Sequence, residues 1–434
     1  MSLANRPAGA AARQVMTLVT GTGLAQLIPL AVSPLLTRLY TPQDFGVFAL
    51  FASLVAVLAV LGSARYELAV MLPKDDADAL ALVALAIAIV MATSAVVLAV
   101  VLAAVLLFHT DLARWFDNPA VGPWLFLLPL SMLLSGLVNT LTVWANRSSS
   151  YRQISISRVL QSASAAAVAV ALGWGLSPRN EVGVGLVLGA VAGQALAAAA
   201  LAWPFWRRWG TRLRDVKWGP MLAQALRFRE FPAINMPHAL LDALQGSGVV
   251  ALIAALFGPS LLGFHALAQR VIRTPMATLG SAVAQVFQKR AADSLHAGGN
   301  TRRLVDAVLR RLGMVAVAVL PLLWFAPELF AFVFGAAWRE AGVYAQLLTP
   351  WLLLNFMLSP LSQLPLLLGR QARALAYGVA YQLAMVLPLA VAWLMTLSLR
   401  QALLLQSVAA SLVLVAYGGW LYGLSKSTSR HAAA

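Results

Sequence analysis

Long, uninterrupted runs of apolar residues dominate the chain. A helix needs about 20 residues to cross the hydrocarbon core of a membrane, and twelve runs are long enough. They cover residues 15–37, 45–64, 79–107, 122–144, 158–176, 183–203, 232–255, 262–284, 312–334, 343–368, 374–396 and 401–423. The runs lack the strict alternation of apolar and polar residues that membrane barrels show. The pattern therefore predicts an all-α integral membrane protein with about twelve transmembrane helices.

Composition and charge agree with this prediction. Only 11% of the 434 residues are charged, whereas a soluble domain carries about 25%. Most of the 31 Lys and Arg residues fall in alternate connections, and the other connections hold Arg38, Arg114, Arg179, Arg339 and Arg400. Because basic residues accumulate on the cytoplasmic side, both termini are predicted to be cytoplasmic. The net charge of +16 then belongs to inner loops, and no nucleic-acid motif accompanies it.

A short internal repeat divides the chain. LYTPQDFGVFAL at 39–50 aligns without gaps with LFGPSLLGFHAL at 256–267, and each copy forms the outer turn between the first two spans of a six-span half. Six spans return the chain to the same side, so the halves should form two six-helix bundles related by a pseudo-two-fold axis along the membrane normal. Transporters use this architecture. The predicted domains are 1–203 and 232–434, joined by a basic cytoplasmic linker at 204–231.

The eighth span carries charges that a lipid-facing helix would not tolerate. His265, Gln269, Arg270 and Arg273 fall within a sector of about 140° on a helical wheel, together with small residues. Each arginine in hydrocarbon costs about 2.5–3.5 kcal/mol even on a mild scale. We therefore expect this face to line a polar cavity, whose surplus of positive charge suits a phosphate or pyrophosphate.

The seventh span has a polar face of its own. Asn235, His238, Asp242 and Gln245 recur at helical spacing, and Asp242 lies at a depth similar to that of Arg273. The two residues form either a static pair that fixes packing or part of a coupling mechanism. His238 and His265 either carry protons or only donate and accept hydrogen bonds.

Weaker signals lie at span ends and in later spans. Arg38 is either an outer rim residue of the cavity or a snorkelling anchor, and Arg65 either guards the inner mouth or pairs with Glu67 there. Tyr377 and Tyr381 share a face of the eleventh span, where they either bind sugars or hold helices together.

Motifs for catalysis and cofactor binding are absent from the sequence. It contains no cysteine, no phosphate-binding Gly-rich loop with a lysine, no metal-ligand spacing and no nucleophile–base set. We therefore predict that the protein is not an enzyme, needs no cofactor and binds no metal.

Two long segments resemble bacterial polysaccharide-biosynthesis membrane proteins. They are SPLLTRLYTPQDFGVFALFASLVAVLAVLGSARYELAVMLPKDD at 33–76 and RFREFPAINMPHALLDALQGSGVVALIAALFGPSLLGFHALAQRVIRTPMATLGSAVAQVFQKRAAD at 227–293. The resemblance is to the oligosaccharide-lipid flippases of the multidrug/oligosaccharidyl-lipid/polysaccharide exporter superfamily.

The resemblance implies a function and its partners. The protein would move polyprenyl-pyrophosphate-linked O-antigen, exopolysaccharide or related repeat units across the bacterial inner membrane by alternating access. Arg270 and Arg273 would be the cavity cations, with Gln269, Asn235, Arg38 and Arg65 as further substrate contacts. Membrane lipids and the glycan polymerase and chain-length machinery of lipopolysaccharide assembly would be its other partners.

Three other functions compete with this one. A cation-coupled multidrug exporter of the same superfamily would favour acidic cavity residues, of which Asp242 is the candidate. A membrane glycan polymerase or ligase would need a catalytic outer surface, and the outer loops are short. A scaffold for glycan assembly would not need the charges of the eighth span.

Overall fold

The computed structural model describes residues 8–115, 124–176, 183–296 and 301–431, whose regular secondary structure is entirely helical. The first helices are α1 (Ala8–Leu39), α2 (Pro42–Gly62), α3 (Tyr66–Ala69), α4 (Asp76–Trp115), α5 (Leu127–Arg147), α6 (Tyr151–Leu176), α7 (Val184–Arg214) and α8 (Trp218–Arg227). A π-helical turn (Phe231–Asn235) leads into α9 (Met236–Phe257), α10 (Pro259–His296), α11 (Arg302–Trp324), α12 (Ala326–Phe334), α13 (Arg339–Leu358), α14 (Leu364–Leu367), α15 (Gln371–Leu394) and α16 (Leu399–His431).

Apart from residues 122 and 123, which lie outside the described residues, each of the twelve predicted spans falls on helical segments. Ten segments of the described residues are long and apolar enough to cross a membrane. α1 and α10 are not among the ten, yet they extend over 32 and 38 residues, more than the about 20 that a crossing needs. In α10 the predicted polar residues interrupt the apolar run. The all-α, multi-pass membrane fold is thus confirmed.

Prolines explain where two predicted spans are broken. The ninth is divided between α11 and α12, with Pro327 in the first turn of α12. The tenth is divided by a 3₁₀ turn, Ser359–Gln363, which contains Pro360 and precedes α14. Proline removes a helical hydrogen bond and clashes with the preceding turn, so these helices end or tighten at such positions.

The chain forms two compact units, divided between residues 251 and 252. This division falls inside α9 and not in the basic segment 204–231. α7 continues through Pro204 to Arg214, and α8 follows it, so most of that segment is helical. The division into domains at 203 and 232 stays a prediction.

In the first unit, the turn between α1 and α2 is tightly hydrogen-bonded. Thr41 and Asp44 form a capping box, in which the Thr41 N–H donates to Asp44 Oδ2 at 2.7 Å and the Asp44 N–H donates to Thr41 Oγ1 at 3.3 Å. The other Asp44 oxygen accepts the N–H of Gly183 at 2.5 Å. One carboxylate therefore joins the start of α2 to the start of α7.

The neighbouring Tyr40 ties the same turn to α6. Its hydroxyl donates to the carbonyl of Ala169 at 2.6 Å. Burial, with a smaller contribution from the charge of Asp44, raises the pKa of Tyr40 to about 12. The phenol is therefore neutral at physiological pH and keeps its donor role.

A stripe of glycines brings α6 and α7 into close contact. A Cβ atom at Gly189 would lie 2.6 Å from the carbonyl oxygen of Ala165, and one at Gly193 would lie 2.5 Å from that of Gln161. Small residues at four-residue spacing let membrane helices pack backbone to backbone. This stripe was not singled out from the sequence.

The second unit has an aromatic and aliphatic core around α10 and α13. The ring of Phe264 meets Trp338 and Tyr344 edge-on, at centroid distances of 5.8 and 6.3 Å. Leu262 and Leu267 of α10 are fully buried. α10 thus packs one apolar face into this unit, which determines where its opposite face points.

Candidate functional site

The predicted site residues lie in three places. His265, Gln269, Arg270 and Arg273 are on α10 in the second unit, and Asn235, His238 and Asp242 are in and after the π-helical turn that begins α9. Arg38 and Arg65 lie on either side of α2 in the first unit. Each unit is described by itself below.

The face of α10 that carries Arg273 is partly accessible. Arg273 is exposed, and Ala277 and Ser281, one and two turns further along, are exposed as well. On the opposite face Ile272 is buried, whereas Leu279 is 54% exposed. That the arginine-bearing face lines a cavity stays a prediction.

The other members of the α10 group lie closer to the core. Arg270 and Gln269 are half-buried, and His265 is buried. The side-chain oxygen of Gln269 is buried and accepts no hydrogen bond from the residues that the structure describes. A buried acceptor without a donor is unfavourable, so this amide has the capacity to bind a further donor, such as a hydroxyl group.

A hydrogen bond joins α13 to α15, the helix that carries Tyr381. The indole N–H of Trp351, on α13, donates to the hydroxyl of Tyr381 at 2.8 Å. Tyr381 thus holds helices together, which is one of its two predicted roles.

The polar residues of α9 are exposed. Asn235, His238, Asp242 and Gln245 are all accessible, and α9 is the least buried of the candidate membrane spans. His238 Nδ1 lies 3.5 Å from Asp242 Oδ2, with side chains 78% and 65% exposed. The carboxylate therefore has a histidine partner on its own helix, and its pairing with Arg273 stays a prediction.

A compact cluster surrounds Arg65. The Nε–H of Arg65 donates to Asn235 Oδ1 at 3.2 Å, and its Nη1 lies 3.6 Å from Glu67 Oε1. Ser63 Oγ–H donates to the other oxygen of Glu67, which is buried. The structure thus brings together two predicted site residues that are 170 positions apart, and it confirms that Arg65 pairs with Glu67.

Backbone geometry and a tyrosine fix this cluster in place. Arg65 has a φ of +64° and precedes the short helix α3. The hydroxyl of Tyr66 donates to the carbonyl of Ala225 in α8 at 3.0 Å, and burial raises the pKa of Tyr66. The carboxyl end of α2 is therefore held against the segment that leads into α9.

Arg38 lies apart from this cluster. It is exposed in the last turn of α1, where a basic side chain is favourable beside the carboxyl end of a helix. α2, with 21 residues, separates it from Arg65 by about 30 Å. The two arginines therefore belong to opposite ends of the first unit.

Sequence reasoning missed Arg147, which organises the loop between α3 and α4 in the first unit. Its guanidinium donates to the carbonyls of Val70 and Pro73 at 3.1 and 2.7 Å and lies 3.2 Å from Asp76 Oδ1. In the sequence it looked like one more inner basic residue. The only local signal is its position at the end of a span, opposite a loop rich in Asp.

Comparison with family models gives the family of the chain, and comparison with solved structures gives its fold. A family model described as "polysaccharide biosynthesis protein" matches residues 35–343, and no curated protein matches the chain in sequence. The lipid II flippase MurJ in an inward closed conformation aligns with a TM-score of 0.69 and 11% identity, over 96% of this chain and 91% of that one.

Two further solved structures have the same fold. An inward-facing multidrug resistance MATE transporter of the MOP superfamily aligns with a TM-score of 0.58 and 15% identity, over 95% of both chains. A MOP superfamily transporter from Pyrococcus furiosus, described by a binding pocket of reverse polarity, aligns with a TM-score of 0.57 and 13% identity, over 96% of both. At these identities the likeness shows a common fold.

Proposed function

Because the chain belongs to the polysaccharide biosynthesis protein family, we propose that it is a flippase for lipid-linked oligosaccharides. Its substrate is a polyprenyl-pyrophosphate-linked repeat unit of O-antigen or exopolysaccharide. The protein moves this unit across the bacterial inner membrane by alternating access and is not an enzyme. The same fold occurs in a lipid II flippase, whose name denotes a lipid-linked substrate.

The observation that carries the proposal is the pair of arginines on α10, of which Arg273 is exposed and Arg270 half-buried. Arg270 and Arg273 lie about 16 and about 21 Å along the helix from Pro259, inside a bilayer core of about 30 Å. A guanidinium that faces lipid at this depth is unfavourable. A water-filled cavity that receives an anion removes this cost, and a guanidinium binds phosphate oxygens with two parallel hydrogen bonds.

The neighbouring residues suit the remaining parts of such a substrate. Gln269, with its buried unpaired oxygen, would accept a hydrogen bond from a sugar hydroxyl. Arg65 and Asn235 would form an inner rim, and Arg38 an outer one. His238 and Asp242 would take up and release a coupling proton.

The α10 arginines are tested in proteoliposomes with a synthetic polyprenyl-pyrophosphate oligosaccharide. We expect Arg270→Gln with Arg273→Gln to lower the rate of translocation more than about tenfold, since a hydrogen bond to a charged group contributes about 1.5–3 kcal/mol. Arg339→Gln is the matched control, because Arg339 is exposed and pairs with Glu328. Normal translocation by the double variant, at equal protein content, would contradict the proposal.

A cation-coupled multidrug exporter is the second candidate, favoured by the exposed Asp242 and His238 on α9. It predicts transport of cationic dyes that Asp242→Asn abolishes and the α10 variants leave unchanged. The flippase predicts the reverse dependence and no dye transport. The same set of variants therefore separates the two functions.

A further inference from the structure

A cavity of about 660 Å³ opens in the second unit, between the start of α15 and the last turns of α16. Its walls include Gly369, Arg370, Arg373, Trp420 and Gly423. The distribution of basic residues places this end of the helices on the cytoplasmic side. The cavity lies on another part of the unit than the polar face of α10, and the proposed function does not use it.

The cavity has an uncompensated positive charge. Arg370 is the N-cap of α15 and Arg373 lies in its first turn, which holds no acidic residue. Both side chains are exposed, and neither forms an ion pair in the part of the chain that the structure describes. The amino end of a helix carries a partial positive charge, so basic residues in a first turn are unfavourable. The charges of these two residues add to it and make the electrostatic potential at the start of α15 more positive.

Another part of the cavity wall is the aromatic ring of Trp420. Trp420 stacks on Tyr377 with a centroid distance of 5.4 Å and an interplanar angle of 29°. Tyr417 lies 5.8 Å from the same ring. These contacts with two tyrosine rings restrict the orientation of the indole, which forms part of the cavity wall.

Glycines keep the cavity open. A Cβ atom at Gly369 or at Gly423 would meet no atom within 4 Å. Gly369 also has a φ of +64°, which lets the chain turn sharply from α14 into α15. The volume lies in the range of ligand sites, about 300–1,000 Å³.

We propose that this cavity binds a phosphate group, carried by the headgroup of an anionic phospholipid in the cytoplasmic leaflet. Two guanidinium groups match the oxygens of a phosphodiester. Trp420 suits the headgroup depth at which indole rings accumulate. Basic pockets between membrane helices on the cytoplasmic side recognise such headgroups.

Lipid binding to the purified full-length protein tests whether the two arginine charges of the cavity hold the headgroup. Thermal unfolding in detergent is followed with added phosphatidylglycerol, phosphatidylcholine or inorganic phosphate. We expect phosphatidylglycerol to raise the midpoint and phosphatidylcholine not to, with an apparent affinity about tenfold lower in Arg370→Gln with Arg373→Gln. The control is Arg207→Gln with Arg208→Gln, a pair of exposed arginines in the other unit.

A second pair of variants tests the volume and leaves the charge unchanged. Gly423→Leu would fill the cavity, and it should weaken phosphatidylglycerol binding. Gly419→Leu, one turn earlier on α16, also points into open space but is not part of the wall, so it should bind normally. This pair remains informative if the arginine variants are poorly folded.

The outcomes distinguish a lipid headgroup from a soluble phosphate as the ligand. They also distinguish this proposal from the proposed flippase function. Equal protection by inorganic phosphate would assign the site to a soluble phosphate compound and overturn the lipid source. Equal loss in both arginine pairs, or normal binding by Gly423→Leu, would overturn the site itself. These variants leave the α10 arginines in place. A negative result for the lipid site would therefore not contradict the proposed role of those arginines in translocation.

Discussion

Arg65 illustrates how one residue combines backbone and side-chain roles. Its φ of +64° is a conformation that a side chain makes unfavourable by about 1–2 kcal/mol. Its guanidinium meanwhile contacts Asn235 and Glu67. A residue that keeps an unfavourable conformation must be fixed by its surroundings, and here the next two residues, Tyr66 and Glu67, are both buried.

Two substitutions separate these roles. Both Arg65→Gly and Arg65→Ala remove the contact with Asn235, but only glycine adopts positive φ freely. We therefore expect the glycine variant to be more stable than the alanine variant by about 1 kcal/mol, measured as the midpoint of thermal unfolding in detergent. A more stable alanine variant would mean that position 65 does not hold this conformation in the native protein.

At the scale of the element, α7 and α10 pack by different rules. α7 presents Gly189 and Gly193 to α6, so its contact depends on the absence of side chains. α10 instead inserts Phe264 among the rings of Trp338 and Tyr344. The first contact brings two backbones close together, whereas the second orients a helix whose other face stays accessible.

The glycine contact gives a sharp test. Gly189→Ala would place a Cβ atom 2.6 Å from a backbone carbonyl oxygen, which moves only if the helices separate. We expect a lower yield of folded protein and a lower unfolding midpoint, despite the better helix propensity of alanine. Gly23→Ala on α1, where no atom lies within 4 Å, should be neutral or stabilising. Equal effects at the two positions would show that the close contact is absent.

For the whole molecule, the predicted charge distribution is lopsided. α10 carries Arg270 and Arg273, whereas α2, its counterpart in the repeat, contains no lysine or arginine. Asp242 adds an exposed carboxylate on α9, paired with His238. A transport cycle with this distribution would bind an anion on one helix and a proton on another.

Asp242→Asn tests this separation. Because the side chain is 65% exposed, loss of its charge leaves no buried ion unpaired, and we expect normal expression with reduced transport and a weaker dependence of transport on pH. Expression is measured in the membranes of the host cell, and transport of lipid-linked oligosaccharide is measured in proteoliposomes. Lost expression that Arg273→Gln restores would instead indicate a static pair between the two residues.

The periodic properties of the chain were predictable from sequence. Spans and helix class depend on residues that are close along the chain, and the apolar period alone reveals them. The aligned Pro42 and Pro259 both begin a helix, because proline suits the first helical turn. The resemblance of two long segments to a known family added the predicted function, which periodicity does not contain.

The packing of the helices decided the rest. The contact between Arg65 and Asn235, the hold of Arg147 on its loop and the meeting of Arg370, Arg373 and Trp420 around one cavity join residues from separate helices. In sequence each of these arginines looks like an ordinary inner basic residue. Which of them meets a partner depends on how helices pack side by side, and no local period encodes that.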